Sequence, residues 1–123
     1  MSKTNPHISV VDDDESMREA MRGLMTSLGY TAQTFASAEE FLKSSQIPRT
    51  SCLIADVQMR GMTGLDLHRH LVASGKTIPT ILMTAYPDDT VRERALQDGV
   101  VCYLSKPFDE NDLLVCIRSS LNI

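Results

Sequence analysis

The sequence predicts an α/β protein with a doubly wound parallel sheet, and three observations support this fold class. The chain has 123 residues, which suits one compact domain. Short apolar runs alternate five times with segments that carry the apolar spacing of a helix. The runs are continuously apolar, which is typical of parallel strands covered on both faces and joined by right-handed crossovers.

The first strand is the β-branched run His7 to Val11, and acidic residues follow it directly. A helix follows because apolar residues recur on one helical face, and Gly29 can end it. The residues of this face are Met17, Met21, Leu24, Met25 and Leu28. We interpret these methionines as core residues.

The next elements are shorter. Tyr30 to Phe35 alternates as a second strand, and Ser37 with Glu40 three residues later forms a capping-box pattern. This pattern predicts a helix that runs to about Lys43. Cys52 to Ala55 is the third strand.

The second half of the chain repeats the alternation of helix and strand. The predicted elements are helix Leu65 to Val72, strand Thr80 to Met83, helix Pro87 to Asp98 closed by Gly99, strand Val101 to Leu104, and helix Asn111 to about Leu121. His68 and His70 lie two residues apart on a helix and point to different sides, so we expect both at the surface.

Composition and charge exclude several classes of protein. Hydrophobic residues make up 42% of the chain and charged residues 23%, which excludes disordered and collagen-like chains. The formal net charge is -4, and no basic cluster is present to bind a nucleic-acid backbone. With no apolar run near about 18 residues and no signal sequence, we expect a cytoplasmic protein with no membrane partner.

The three cysteines are Cys52, Cys102 and Cys116, and each lies in an apolar stretch. This placement predicts small, buried, hydrophobic side chains. Their odd number argues against a secreted disulfide framework and favours a reducing compartment. No cysteine and histidine spacing suggests zinc.

Polar residues follow four of the five predicted strands, where the functional crevice of an open parallel sheet lies. They are Asp12, Asp13 and Asp14 after strand one, Asp56 after strand three, Thr84 after strand four and Lys106 after strand five. Converging carboxylates bind either protons or a cation, and oxygen ligands favour Mg²⁺ or Mn²⁺ over zinc. An ammonium and a hydroxyl can then contact phosphoryl oxygens, while one carboxylate remains free to attack.

Each of these residues also has an ordinary structural interpretation. An acid after a strand often caps the next helix, which we expect for Asp14 and which would also explain Asp12 or Asp13 considered alone. A single Thr84 often caps or packs, and a single Lys106 is often a solvated surface charge. Their joint occurrence at four strand ends favours a functional site.

Five motifs, in order and at the expected spacing, resemble the receiver domain of two-component response regulators, most closely the FixJ-like transcriptional regulators. They are VVDDD at Val10 to Asp14, LIADVQM at Leu53 to Met59, GLDL at Gly64 to Leu67, ILMTA at Ile81 to Ala85, and YLSKPF at Tyr103 to Phe108. The resemblance runs from His7 to Leu121. It implies a flavodoxin-like (βα)5 sheet with strand order 2-1-3-4-5.

The resemblance also implies a role for each acidic residue. Asp56 is the expected phosphoryl acceptor, and Asp12 and Asp13 form the acidic pocket beside it. Mg²⁺, or Mn²⁺ in its place, is expected to be held there by Asp13, Asp56 and the backbone carbonyl of Gln58. The implied phosphoryl donor is a sensor histidine kinase.

The switch is implied in the same way. Lys106 and Thr84 are expected to contact the phosphoryl group, Tyr103 to move with Thr84, and the Lys106–Pro107 peptide bond to be cis. The face formed by the fourth helix, fifth strand and fifth helix is expected to mediate homodimerisation on phosphorylation, or docking to an output domain.

One position departs from the family pattern. Arg60 stands where the family commonly has proline after Met59. Arginine leaves φ free and adds a charge near the acceptor. We expect Arg60 either to point into water or to loosen the loop without abolishing phosphorylation.

Two other classes of function remain open. A haloacid-dehalogenase-like phosphatase also forms an aspartyl phosphate, but it needs its nucleophile in strand one and an acidic pair after a late strand, where this chain has Lys106. A receiver-like interaction module that is never phosphorylated would be expected to lack Asp56, Thr84 or Lys106. All three are present, so we expect a signalling domain rather than an enzyme.

Residues 1–123 are expected to form a receiver domain. FixJ-like regulators continue into a helix-turn-helix domain, which the sequence up to Ile123 does not encode. We therefore expect contact with DNA only through an output domain outside this sequence.

Overall fold

A computed structural model describes residues 6–123 and has one five-stranded sheet. All neighbouring strands are parallel, and their order is β2-β1-β3-β4-β5. The strands are β1 His7–Val11, β2 Thr31–Phe35, β3 Cys52–Asp56, β4 Thr80–Thr84 and β5 Cys102–Ser105. The predicted fold class and strand order are confirmed.

Five α-helices connect and cover the strands. They are α1 Glu15–Ser27, α2 Ala38–Lys43, α3 Gly64–Ala73, α4 Asp89–Gln97 and α5 Glu110–Leu121. The predicted bounds differ by up to two residues because caps set the ends of helices. The sequence analysis missed a short 3-10 helix at Ile47–Arg49, which has a proline in its first turn.

The caps explain how two helices begin. Asp14 caps α1, as predicted, and its carboxylate accepts the Ser16 and Met17 N–H groups. Ser37 accepts the Glu40 N–H group, but the Glu40 carboxylate reaches the Ala36 N–H group instead of closing the predicted capping box. The structure does have a capping box at the start of α3, between Thr63 and Asp66.

The core has two layers, one on each face of the sheet. Successive strand residues point to opposite faces, so Leu53 packs with α2, α3 and α4, while Ile54 packs with α1 and α5. Met21 and Met25 are buried in the second layer, which confirms them as core residues, and Met17 is partly buried against that layer. No helix in residues 6–123 is long and apolar enough to cross a membrane.

One histidine prediction is wrong. His68 is only 5% exposed, whereas His70 is exposed as predicted. His68 lies three residues from both Leu65 and Leu71, which are buried on the sheet-facing side of α3. Burial lowers the pKa of His68. Its Nδ1 atom has no hydrogen-bond partner among residues 6–123.

The predicted burial is confirmed for Cys52 and Cys116, whereas Cys102 is only partly buried. Cys52 is fully buried and free, and burial raises the pKa of its thiol to about 11. Cys102 and Cys116 are joined in a disulfide, with 6.1 Å between their Cα atoms. The sequence could not indicate this pair because packing of α5 against the sheet brings the two residues together.

Candidate functional site

The carboxyl ends of four strands bring the predicted polar residues together. Asp12 directly follows β1, Asp56 and Thr84 are the last residues of β3 and β4, and Lys106 directly follows β5. Parallel strands end at the same edge of a sheet, so the strand order fixes this cluster. The Lys106 N–H group donates to the Thr84 carbonyl at 2.7 Å, which holds the last two strand ends together.

Lys106 contacts two buried carboxylates at once. Its Nζ atom lies 3.0 Å from Asp12 Oδ2 and 3.0 Å from Asp56 Oδ2. Asp12 is fully buried, and the side chains of Asp56 and Lys106 are 10% and 14% exposed. One ammonium therefore faces two carboxylates where little water screens them, and an excess of negative charge remains.

The pKa values of Asp56 and Lys106 both differ from their ordinary values. Burial raises the pKa of Asp56, and the opposing hydrogen bond and charge of Lys106 do not cancel the effect. Burial lowers the pKa of Lys106, but its hydrogen bonds to Asp56 and Asp12 and their charges outweigh this and raise its pKa overall. Binding of a further cation would offset the repulsion between the two carboxylates that a single lysine leaves in place.

Asp13 adds a third carboxylate. Oxygen atoms of Asp12, Asp13 and Asp56 lie within 4.8 Å of one another, and Asp13 is exposed to solvent. Backbone N–H groups orient two of these carboxylates, since Asp12 Oδ1 accepts from Asp14 at 2.9 Å and Asp56 Oδ1 accepts from Gln58 at 3.1 Å. Three carboxylates supply oxygen donors, which fit Mg²⁺ or Mn²⁺.

The side chain of Gln58 makes a contact that the sequence analysis missed. The Thr84 hydroxyl donates a short hydrogen bond to Gln58 Oε1 and accepts the Tyr86 N–H group at 2.9 Å. The family resemblance implies a role only for the backbone carbonyl of Gln58, as a metal ligand. No sequence signal predicts the contact, because it depends on β3 lying beside β4 in the sheet.

Tyr103 links β5 to the start of α4. Its hydroxyl accepts the Asp88 N–H group at 3.2 Å, and Asp88 is the N-cap of α4. The ring is partly buried against the α2, α3 and α4 layer. The Lys106–Pro107 peptide bond is cis, the conformation that the family resemblance implies.

The loop after β3 contains Arg60, which is exposed. Its N–H group lies 3.4 Å from Asp13 Oδ2, so the loop backbone approaches the acidic cluster. Glu39 of α2 accepts the Met62 N–H group at 3.1 Å. Gly61 has φ 76°, and a Cβ atom there would lie 2.9 Å from Glu39 Oε2. The sequence analysis missed Glu39, which anchors this loop from another element.

Gly64 allows α3 to approach the acceptor strand. A Cβ atom at this position would lie 2.5 Å from the Asp56 carbonyl oxygen. Backbone cannot yield as a flexible side chain can, so only glycine fits here without a shift of α3 or β3. Gly64 therefore helps to position Asp56.

Comparison with known proteins identifies the class of protein that this fold and site define. The family model "Response regulator receiver domain" matches residues 8–118, so the chain belongs to the receiver domain family of response regulators.

Particular relatives agree with this assignment. The chain is 37% identical over 123 residues to response regulator protein TodT of Pseudomonas putida, covering all of this chain and 54% of TodT. It is 32% identical to transcriptional regulatory protein FixJ of Bradyrhizobium diazoefficiens, covering 96% of this chain and 58% of FixJ. It is also similar to the crystal structure of FixJ-N, with a TM-score of 0.86, 27% identity, and coverage of 98% of this chain and 96% of FixJ-N. The chain thus spans about half the length of these curated relatives.

Proposed function

We propose that this chain is a phosphorylation-activated switch in which Asp56 accepts a phosphoryl group from a sensor histidine kinase. The observation that carries the proposal is the position of Asp56 at the carboxyl edge of the sheet, 3.0 Å from Lys106 and within the cluster of Asp12 and Asp13. Membership of the receiver family supports the same function. In this function the domain transfers a signal and is not an enzyme acting on a separate substrate.

The transfer joins one oxygen of Asp56 to phosphorus. The bond between phosphorus and the donor's histidine nitrogen breaks, and that nitrogen keeps the electron pair. Lys106 stabilises the added negative charge, while the Gln58 N–H group orients the carboxylate. Mg²⁺, or Mn²⁺, held by Asp13, Asp56 and the Gln58 carbonyl beside Asp12, would neutralise charge between the carboxylates and the phosphoryl oxygens.

The switch begins at Thr84. A phosphoryl oxygen on Asp56 competes with Gln58 for the Thr84 hydroxyl, and movement of Thr84 shifts the loop that leads to α4. Tyr103 responds because its hydroxyl contacts the N-cap of that helix. Phosphorylation thereby biases an existing equilibrium between two arrangements of the surface formed by α4, β5 and α5.

The altered surface forms a homodimer or docks an output domain. Leu96 of α4 and Val115 of α5 are large apolar side chains with 42% and 66% exposure, which suits a surface that becomes an interface. The protein acts in the cytoplasm, where it meets a sensor kinase. The domain, residues 1–123, reaches DNA only through an output domain, in keeping with its net charge of -4 and its transcriptional relatives.

Intact mass after incubation with acetyl phosphate and Mg²⁺ tests this function. We expect one phosphoryl adduct on the parent protein and on Asp112→Asn, an exposed acid of α5 that serves as the matched control. We expect none on Asp56→Asn or in the presence of EDTA. A folded parent that gains no adduct from acetyl phosphate or from a kinase would support an interaction module that is never phosphorylated.

A further inference from the structure

Cys102 and Cys116 form a pair that the phosphorylation switch does not use. Cys102 is the first residue of β5, and Cys116 lies in α5 between the buried residues Leu113 and Ile117. Their Cα atoms are 6.1 Å apart, within the range of about 4.4–6.8 Å that a disulfide requires. The backbone therefore brings the two sulfur atoms within bonding reach without rearrangement of either element.

The three cysteines differ in their access to solvent. Cys102 is partly exposed, Cys116 is 6% exposed, and Cys52 is fully buried. A small oxidant can therefore reach Cys102, and Cys116 is the thiol beside it. Burial raises the pKa of Cys52 to about 11, so Cys52 has little reactive thiolate. The chain thus contains a paired site and an internal control.

We propose that Cys102 and Cys116 are a reversible oxidation site that closes on reaction with a peroxide and ties α5 to β5. The Cys102 thiolate attacks a peroxide oxygen, the O–O bond breaks, and the departing oxygen leaves as water with a proton, which gives a sulfenic acid. The Cys116 thiolate then attacks the Cys102 sulfur and expels hydroxide, which also becomes water. Two thiols lose two electrons, and hydrogen peroxide becomes two water molecules.

A dithiol reductant reverses the step by exchange, so in a reducing compartment the pair stands open until an oxidant arrives. Cys102 is the first residue of β5, whereas Asp56 is the last residue of β3, so the two residues lie at opposite ends of the parallel strands. Closing the bond therefore leaves the phosphorylation site unchanged. It restrains the position of α5 against β5, and these are two of the three elements that form the surface that we propose to switch.

The consequence for signalling rests on the proposed function. The closed form accepts the phosphoryl group as the open form does, but its surface formed by α4, β5 and α5 rearranges less. We expect self-association of the phosphorylated protein to be weaker by on the order of fivefold when the bond is closed.

Bond formation is tested by intact mass under non-reducing conditions, after hydrogen peroxide and then alkylation of the denatured protein. We expect the parent to lose two hydrogen atoms and to keep one alkylatable thiol. The control Cys52→Ala forms the same bond and keeps no thiol. Cys102→Ser and Cys116→Ser form no intramolecular bond. A parent that keeps three alkylatable thiols, or that pairs Cys52, overturns the proposal.

The structural effect is tested by amide hydrogen exchange of the same samples without phosphorylation. We expect the amides of α5 to exchange more slowly in the closed form, by on the order of tenfold, and this change to be absent from Cys116→Ser. Equal exchange in both forms would overturn the restraint on α5. Neither readout needs phosphoryl uptake, so failure of phosphorylation would count against the proposed function alone.

Sedimentation of the phosphorylated open and closed forms tests the consequence for signalling. Weaker association of the closed form, reversed by a dithiol, supports the regulatory role. Equal association of the two forms overturns that role.

Discussion

The two ends of the sheet bury polar groups in different ways. Toward the amino ends of the strands, the buried side chains of Ser9 and Thr50 form a neutral pair 2.7 Å apart, and the Thr50 hydroxyl donates to the Gln46 carbonyl at 2.7 Å. Every hydroxyl proton of this pair has an acceptor. At the carboxyl ends, a single ammonium, that of Lys106, contacts both Asp12 and Asp56, and negative charge remains in excess.

The comparison separates a structural use of polar groups from a functional one. Satisfied neutral hydrogen bonds add modest stability, whereas buried unbalanced charge opposes folding. Such a cost is expected where a site must bind a cation and a phosphoryl group. Substitutions at each end of the sheet test this difference.

The largest effect is expected from removing the shared cation. Lys106→Met leaves two buried carboxylates without their cationic partner, so we expect the free energy of unfolding in EDTA to fall by about 3 kcal/mol. Mg²⁺ should restore part of this loss. Urea denaturation checks both values, with Lys76→Met, at an exposed lysine, as the matched control. Equal stability of the parent and Lys106→Met would mean that the carboxylates carry no net charge repulsion.

Removing the Gln58 side chain tests the resting position of Thr84. Loss of one hydrogen bond, worth about 1 kcal/mol, should shift the resting equilibrium toward the switched arrangement. We expect Gln58→Ala to gain the phosphoryl group from acetyl phosphate about fivefold faster than the parent. The control is Gln97→Ala at the exposed end of α4. An unchanged rate would show that Gln58 does not restrain Thr84.

A substitution at the amino end of the sheet should change the stability by the same amount with and without metal. Ser9→Ala removes a donor but leaves Thr50 bonded to Gln46, so we expect a loss of stability of about 1 kcal/mol or less. Denaturation in Mg²⁺ and in EDTA should give the same loss. A loss of stability that differs with Mg²⁺ would contradict the conclusion that the amino end has no part in metal binding.

The smallest effect concerns pH and His68. Its pKa is lowered in the folded state, so the neutral form is preferred there and the stability is fully present above the unfolded pKa of 6.5. As the pH falls through 6.5 toward the folded pKa, this contribution is lost. His68→Leu should therefore lose less stability than the parent between neutral and mildly acidic pH. If the free energy of unfolding changed equally with pH in the two proteins, the pKa of His68 would be the same in the folded and unfolded states.

The residues of the charged end could be predicted because each directly follows or ends a strand. Parallel strands place such residues at one edge whatever their sequence separation, so Asp12, Asp56, Thr84 and Lys106 needed only the element order. The side-chain contact of Gln58 and the anchoring role of Glu39 depend on neighbouring elements and on loop geometry. Neither leaves a pattern along the chain.

Two errors have different physical causes. His68 could have been predicted as buried, since it continues the apolar stripe of Leu65 and Leu71, but the prediction considered only its spacing from His70. The pairing of Cys102 with Cys116 could not have been predicted, because it depends on the packing of α5 against the sheet, which spacing along the chain does not encode. Cys52 and Cys116 were correctly predicted to be buried, but the bond between Cys102 and Cys116 was missed.

The position of the phosphoryl group tests the central claim most directly. After reaction with acetyl phosphate and Mg²⁺, proteolysis and mass spectrometry of the peptides locate the modified residue. If the excess charge at the carboxyl end serves phosphoryl transfer to β3, the adduct lies on Asp56 and on no other residue. An adduct on Asp12 or Asp13 would place the nucleophile after β1, as in a dehalogenase-like phosphatase, and would contradict the account.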